Sequence, residues 1–214
     1  RPGASPVPVA EEQRRVREAI QALVQAFPEA HISVDTFRAS VAEVAVGEGA
    51  VLINDVSGGS LDPQMFQTVA RLRVPYVLMH LRGTPQTMMT LNQYEDLLLD
   101  IIEELQARLV QLRRLGVSDV ILDPGFGFAK NIPQNFQLLR QLPELHLLGC
   151  PLLVGLSRKS MIYKMLHITA EQALNGSTVL HTLALEQGAH ILRVHDVKAA
   201  REAVQLWVAF RGKA

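Results

Sequence analysis

Short apolar runs alternate with longer stretches of helical periodicity along this chain of 214 residues. Residues 11–27, for example, place their apolar side chains on one helical face, and Pro28 ends that pattern. Six apolar runs are each followed by a helical pattern, and they lie at 31–36, 50–53, 74–79, 119–122, 150–156 and 189–194. Because the runs are almost continuously apolar, they are typical of parallel strands covered on both faces. The alternation therefore predicts an α/β fold built on a parallel sheet.

Residue types that favour helix ends set the boundaries of several predicted helices. Asp62 and Pro63 predict the start of the third helix, with Asp62 as its N-cap. Residues 94–115 predict the longest helix, and Gly116 is a typical C-terminal cap. Residues 159–187 predict one or two helices before the last strand.

Polar side chains stand at the end of every predicted strand: Asp35, Asn54, His80, Asp123, Lys159, and Arg193 with His195. An open sheet gathers functional groups at one switch point, whereas a (β/α)8 barrel brings them from many strands to one mouth. The pattern therefore favours an α/β fold of the TIM (β/α)8 barrel type. Since a complete barrel needs eight strands, we expect residues 1–214 to form a single domain that supplies about strands 3–8 and lacks the first two βα units. The chain also begins with Arg1 rather than Met, which favours a fragment.

The composition of the chain indicates which classes of molecule it is expected to bind. The formal net charge is zero and the pI is about 7.2, so no long-range field attracts nucleic acid or an anionic membrane. No apolar run is long enough to cross a bilayer. The single cysteine, Cys150, lies in an apolar run and is interpreted as a core residue, which fits a reducing, cytoplasmic compartment. We expect small-molecule substrates and no nucleic-acid or membrane partner.

The predicted strand ends carry groups that suit a planar, hydrogen-bonding ligand. Asp35 and Asp123 supply acceptors, and Asn54 supplies an amide that both donates and accepts. Such a set suits a heterocycle with an amino-pyrimidine edge, and Lys159 adds a cation for a ring carbonyl or ring nitrogen.

Two further residues indicate an anion site. Arg193 and His195 lie two apart on the last predicted strand, so they should face the same way. Together with the loop around Arg1 they could bind phosphate, which suits the planar fork of arginine.

Simpler structural interpretations stay open for several of these residues. A strand-end acid such as Asp35 or Asp55 is often only the N-cap of the next helix. His80 could be packed beneath the loop that follows it, and Arg158 with Lys159 could form a solvated basic turn. A metal site is weakly supported because the histidines lack ligand spacing.

Six motifs, in this order along the chain, resemble those of the dihydropteroate synthase family; they lie at 32–36, 53–59, 79–85, 123–128, 155–160 and 193–197. The resemblance implies a TIM barrel that condenses 6-hydroxymethyl-7,8-dihydropterin pyrophosphate with 4-aminobenzoate. The products of that reaction are 7,8-dihydropteroate and pyrophosphate, in folate biosynthesis. Since the motifs span nearly the whole chain, the resemblance concerns its overall organisation and not one site.

The resemblance also implies roles for individual residues. The residues expected to bind the pterin are Asp35, Asn54, Met79, Asp123, Lys159 and Arg193. Those expected to border the 4-aminobenzoate are Arg1, Pro2, Phe128, Lys159 and Ser160. Pyrophosphate is expected at Arg1, Arg193 and His195. The expected catalytic set is Asp35, Asp123, Lys159, Arg193 and His195.

In the family's reaction pyrophosphate leaves first, assisted by Mg²⁺, and the arylamine attacks the resulting cation. Asp35 and Asp123 would stabilise the developing positive charge. The family's first-strand loop, whose Asn binds Mg²⁺, is absent here. We therefore expect Mg²⁺ as a cofactor of a longer natural protein, no metal ligand in this chain, and weak or no activity of this chain alone. A homodimer is a further expectation from the family.

Two other functions compete with the synthase. A pterin-dependent methyltransferase on a related barrel would share the pterin-binding acids, but it should lack the Ser157–Ser160 and Arg193–His195 motifs that are present here. A non-catalytic, truncated pterin-binding barrel is supported only by the absence of the first loop.

Overall fold

A computed structural model describes residues 7–84 and 86–212 of the chain. Within these residues the chain alternates between helices and strands, with two short 3-10 helices at Met88–Thr90 and Leu142–Leu148. The elements in order are α1 (Val9–Ala26), β1 (Ser33–Asp35), α2 (Ala39–Gly47), β2 (Leu52–Asp55), α3 (Met65–Leu72), β3 (Tyr76–Met79), α4 (Leu97–Arg114), β4 (Val120–Asp123), α5 (Ile132–Arg140), β5 (Leu153–Val154), α6 (Ser160–Tyr163), α7 (Leu174–Glu186), β6 (Ile191–Leu192) and α8 (Val197–Phe210). The predicted alternation of strands and helices is confirmed. None of the described helices is long and apolar enough to cross a membrane.

Several predicted boundaries are wrong. Helix α3 begins at Met65 with Gln64 as its N-cap, so Asp62 is not the N-cap. The Asp62 carboxylate instead accepts hydrogen bonds from the backbone N–H groups of Ala39 and Gln64, at 2.7 and 3.0 Å. Helices α1 and α4 both have 18 residues, so α4 is not longer than α1.

The strands pair in parallel, as the apolar runs predict. The first four strands form one sheet in the order β1-β2-β3-β4, and β5 pairs with β6. Strand β1 runs parallel to β2, and the register places Asp35 opposite Asn54. Strand β2 runs parallel to β3, and β5 to β6. Since parallel strands end at the same edge of a sheet, this register brings the polar ends of β1 and β2 together.

The chain divides into two compact units. Unit 1 comprises Arg1–Gln86 with Glu103–Leu122, and unit 2 comprises Thr87–Ile102 with Asp123–Ala214. Each unit has its own buried apolar core. The core of unit 1 includes Ile53, Leu78, Leu105 and Leu122, and that of unit 2 includes Phe126, Leu138, Leu152 and Leu156. Cys150 is buried in unit 2, which confirms its interpretation as a core residue.

One buried acid in unit 1 organises the turn that follows β2. The Asp55 carboxylate accepts hydrogen bonds from the Ser57 N–H and hydroxyl at 2.8 and 2.7 Å, and from the Gly59 N–H at 2.9 Å. The buried Tyr76 hydroxyl also donates to it, at 2.7 Å. Burial, and then the neighbouring Asp55, raise the pKa of Tyr76 well above its usual value. The chain can fold closely here because Gly58, at φ +57°, leaves no Cβ to collide with the Met79 carbonyl oxygen.

Candidate active site

In unit 1 the predicted pair of Asp35 and Asn54 is brought into contact. The Asn54 side chain donates from Nδ2 to the Asp35 carboxylate at 3.0 Å. Asn54 is buried, and its Oδ1 accepts no hydrogen bond from any described residue. Because a buried acceptor without a donor is costly, this oxygen is a natural partner for an N–H group of a ligand. Helix α2 begins at Ala39 with Arg38 as its N-cap, so Asp35 is not the N-cap of the next helix.

His80, directly after β3, belongs to a buried network within unit 1. Its Nε2 lies 3.2 Å from Glu104 Oε2, and Arg82 donates from Nε to Glu104 Oε1 at 2.7 Å. Burial alone would raise the pKa of Glu104. The hydrogen bonds from His80 and Arg82 outweigh that effect and lower the pKa to about 2. His80 is fully buried. The structural interpretation of His80, packed beneath its loop, is therefore the one observed.

Met79, which the resemblance assigns to the pterin, is a buried residue at the end of β3. Its backbone carbonyl accepts from Arg108 at 3.5 Å, and the Leu81 carbonyl accepts from the same guanidinium at 3.4 Å. Arg108 thus holds the backbone on both sides of His80.

In unit 2, the loop after β4 is shaped around Asp123. This residue is 7% exposed, and its Oδ1 accepts from the Gly125 N–H at 2.8 Å. Gly125 and Gly127 have φ angles of +73° and +78°, which other residues rarely adopt. The Gly127 N–H donates to Asn135 Oδ1 at 2.6 Å, which ties the loop to α5. The sequence Pro-Gly-Phe-Gly-Phe therefore forms the predicted tight turn at the end of a buried strand.

Two lysines bind the carbonyl oxygens of this loop. Lys159 donates from Nζ to the Phe126 carbonyl at 2.7 Å, and its ammonium lies 4.3 Å from the centroid of the Phe128 ring. Lys130 donates from Nζ to the carbonyls of Gly125 and Phe128 at 3.2 and 3.1 Å. The predicted substrate residues Phe128 and Lys159 are thus in contact.

The charges of Lys159 and Arg193 influence the ionisation of Asp123, and those of Asp123 and Arg193 influence the ionisation of Lys159. Burial raises the pKa of Asp123, while the Gly125 hydrogen bond and the charges of Lys159, Lys130 and Arg193 oppose that rise. Burial lowers the pKa of Lys159, which the Asp123 charge opposes and the Arg193 charge reinforces. A buried carboxylate among cations can accept N–H groups from a heterocycle and stabilise a positive charge on it.

The segment after β6 differs from its prediction. Strand β6 ends at Leu192, so the argument that Arg193 and His195 face the same way along a strand is wrong. His195 instead contacts Ser157: its backbone N–H donates to the Ser157 hydroxyl at 3.2 Å, and its Nδ1 lies 3.0 Å from that oxygen. The Ser157 hydroxyl therefore links the segment that follows β5 to the segment that follows β6.

The turn after β5 also corrects the sequence analysis. Strand β5 ends at Val154, so Lys159 is not at the strand end but is the residue that precedes α6 and Ser160. Arg158 is not a solvated basic turn residue, because it donates from Nε and Nη2 to the Asp196 carboxylate, at 2.9 Å each. This bidentate pair keeps the pKa of Asp196 below its usual value.

Some predicted residues lie outside the described part of the chain, and some functional contacts were not predicted. Arg1 and Pro2 are outside the described residues. Lys130, Ser157 and Glu104 were not assigned a role, because a single polar residue in a loop or helix gives no periodic signal of burial. Among residues 7–84 and 86–212, no three His, Cys, Asp or Glu side chains come together as a metal site.

Comparison with known proteins gives consistent matches. Residues 1–195 match the family described as pterin binding enzyme. The dihydropteroate synthase of Synechocystis sp. is 46% identical over 202 residues, which cover 93% of this chain and 70% of that protein. A crystal structure of Yersinia pestis dihydropteroate synthase with a sulfonamide drug superposes with a TM-score of 0.95 at 41% identity, covering 99% of this chain and 77% of the other.

A structure of Xanthomonas albilineans dihydropteroate synthase with 4-aminobenzoic acid has a TM-score of 0.91 and 42% identity, over 99% of this chain and 76% of that one. These similarities confirm the predicted fold class, an α/β fold of the TIM-barrel type.

The Glu104 network predicts a specific dependence of stability on pH. Because the pKa of Glu104 is about 2 in the folded chain against 4.5 ordinarily, its ionisation stabilises the fold above the ordinary value. This stabilisation is lost as the pH falls from 4.5 towards 2. In Glu104→Gln we therefore expect a flatter decline of the unfolding free energy across that window, measured by urea denaturation.

Glu29→Gln, at an exposed position of the same unit, serves as the control and should follow the wild-type curve. If the unfolding free energies of wild type and Glu104→Gln differed by the same amount at every pH in the window, the lowered pKa of Glu104 would be wrong.

Proposed function

This chain belongs to the pterin binding enzyme family, with the function of a dihydropteroate synthase in folate biosynthesis, and from that premise we propose that Asp123, Lys159 and Arg193 bind its pterin substrate. The single observation that carries the proposal is the buried Asp123 carboxylate, which has cations beside it and only one hydrogen bond from the described residues. The family matches favour the synthase over a methyltransferase or a non-catalytic barrel.

The chemistry of a pterin fits this cluster. An amino-pyrimidine edge carries a ring N–H beside an exocyclic NH₂, and a carboxylate can accept from both. Lys159 can donate to a ring carbonyl or ring nitrogen on the same heterocycle. Within unit 1, the buried Asn54 oxygen and the Asp35 carboxylate offer the same acceptor chemistry. The family resemblance alone assigns these two residues and Met79 to the pterin.

The second substrate is proposed to bind beside Phe128, Lys159 and Ser160. Phe128 offers an aromatic face, and the Lys159 ammonium lies 4.3 Å from its centroid. An aromatic ring with a carboxylate can stack on such a face and pair with a cation. The structure of the Xanthomonas relative with 4-aminobenzoic acid supports the identity of this second substrate.

The proposed chemical step breaks the bond between the pterin methylene carbon and the pyrophosphate oxygen. The bonding electrons leave with pyrophosphate, and Asp123 stabilises the positive charge that develops on the pterin. The arylamine nitrogen then forms the new C–N bond and releases a proton to solvent. Arg193 and His195 are proposed to bind the departing pyrophosphate. No side chain forms a covalent intermediate in this sequence of events.

Mg²⁺ is proposed as a cofactor of the reaction because of the family resemblance alone. The described residues bring no three acidic, histidine or cysteine side chains together, so none of them is named as a ligand of the ion. No step is therefore assigned to the ion. We also propose a cytoplasmic location, which the presence of a single cysteine supports because exported proteins more often contain disulfide pairs.

Calorimetric titration with a dihydropterin pyrophosphate analogue tests the pterin site. Asp123→Asn and Lys159→Met each remove one charge from the cluster, and we expect each to weaken binding roughly 10–100-fold, as for the loss of a charge-assisted hydrogen bond. Lys198→Met is the matched control because Lys198 is exposed on α8, and it should bind like wild type. Wild-type affinity in both cluster variants would refute the site.

We propose that a second copy of this chain covers the apolar face of α7 and α8. Leu206 and Phe210 on α8 are 73% and 81% exposed, and Leu174 on α7 is 40% exposed. These side chains line a largely apolar groove between the two helices. An apolar face of this kind is unusual on a monomer, and a two-fold axis lets one such face pair with its own copy.

Sedimentation analysis of Leu206→Glu and Phe210→Glu tests this interface. Each substitution places a charge in the face, so we expect the dimer to dissociate at micromolar concentration. Leu147→Glu is the control, because Leu147 is 66% exposed but lies in the 3-10 helix before β5. A monomeric wild type, or variants that remain dimeric, would contradict the proposal.

A further inference from the structure

Lys130 is a buried lysine to which the proposed reaction gives no role. Its side chain is 2% exposed, although an ammonium group is costly to bury unless acceptors or opposite charges surround it. Its Nζ donates to the carbonyls of Gly125 and Phe128 at 3.2 and 3.1 Å. Both carbonyls belong to the loop that follows Asp123, so the buried lysine holds this loop of the candidate site through its backbone.

The backbone around Lys130 is held in a conformation that it would not adopt alone. Ala129 has a φ of +50°, in the left-handed region that non-glycine residues rarely occupy. Its carbonyl accepts from the Tyr94 hydroxyl at 2.9 Å. On the other side, Asn131 caps α5 through reciprocal hydrogen bonds with Gln134. The lysine is therefore fixed between a constrained loop residue and a capped helix.

Lys130 also differs from the other cations near Asp123. The cations that act on the Asp123 carboxylate are Lys130, Lys159 and Arg193, all in unit 2. Each of them opposes the rise in the pKa of Asp123 that burial causes. Lys159 is half-buried and Arg193 is exposed, so both can turn towards a ligand. Lys130 is enclosed, so its charge stays in place while the other two engage substrate.

We propose that Lys130 is a positioning residue of the pterin site, whose buried ammonium holds the Gly125–Phe128 carbonyls and stabilises the negative charge of Asp123. The proposal rests on the proposed function, since the benefit of an ionised Asp123 is the binding of pterin N–H groups. Lys130 itself touches no substrate. It acts through the loop geometry and through Asp123.

Three substitutions separate the charge of Lys130 from its hydrogen bonds. Lys130→Gln keeps a donor without the charge, Lys130→Met removes both, and Lys130→Arg keeps the charge. Carbon-13 NMR titration of the Asp123 carboxyl reads its ionisation directly, without substrate. Since an adjacent opposite charge lowers a carboxyl pKa by about 1–3 units, we expect the pKa of Asp123 to rise by that order in Lys130→Gln and Lys130→Met. Lys130→Arg and the control Lys198→Met should leave it unchanged.

Pterin binding gives the second readout. Because the ionised carboxylate is the form that accepts two N–H groups, the loss of affinity on acidification should begin at higher pH in Lys130→Gln than in wild type. Above both pKa values the two affinities should converge. A purely structural role for Lys130 predicts a uniform loss at every pH instead.

The outcomes distinguish this inference from the proposed function. An Asp123 titration that is the same in Lys130→Gln and wild type overturns the role of Lys130, whatever binds to the site. A folded wild type that does not bind the pterin analogue overturns the proposed function, while the NMR titration still decides the effect of Lys130 on Asp123. If Lys130→Met fails to fold, Lys130→Gln carries the test because it retains a hydrogen-bond donor.

Discussion

The burial of a carboxylate at the end of a parallel strand is the constraint on which this structure depends. Taking Asp123 out of water is unfavourable unless donors and cations replace its hydration. The chain meets this requirement with one backbone N–H and three nearby cations on different segments of unit 2. The proposed function uses the same cations, which make the burial tolerable, to bind a ligand that carries N–H groups and an anionic leaving group.

Asp55 and Asp123 show how similar positions acquire different roles. Both residues end a buried parallel strand and precede a glycine-rich turn. Asp55 receives four hydrogen bonds, from the Ser57 backbone and hydroxyl, the Gly59 backbone and Tyr76, so its oxygens are occupied by the protein itself. Asp123 receives one from the described residues and is otherwise compensated by charge, which leaves acceptor capacity for a ligand. The two acids therefore differ in the number of donors that the protein supplies and not in burial alone, and the proposed function depends on that difference.

The sequence predicted the order of elements and the polar side chains that follow the first four strands, because both follow from local patterns. Apolar runs that end in polar residues predicted Asp35 and Asn54 at strand ends that meet, and the structure places them opposite each other and joins them by a hydrogen bond. The contacts that were missed depend on residues far apart in sequence. Arg158 pairs with Asp196 across 38 positions, and His195 contacts Ser157 at the same separation. Strands β5 and β6 are shorter than predicted, because buried loop residues are as apolar as strand residues and extend the apolar run beyond the strand.

The most direct test of the account is a structure of this chain bound to a pterin analogue, at a pH where Asp123 is ionised. The account predicts that the amino-pyrimidine edge lies against the Asp123 carboxylate, with N···O distances of about 3 Å, and that Lys130 keeps its bonds to the Gly125 and Phe128 carbonyls. A pterin bound elsewhere on the chain, with the Asp123 carboxylate still bonded only to the Gly125 N–H, would contradict the central claim.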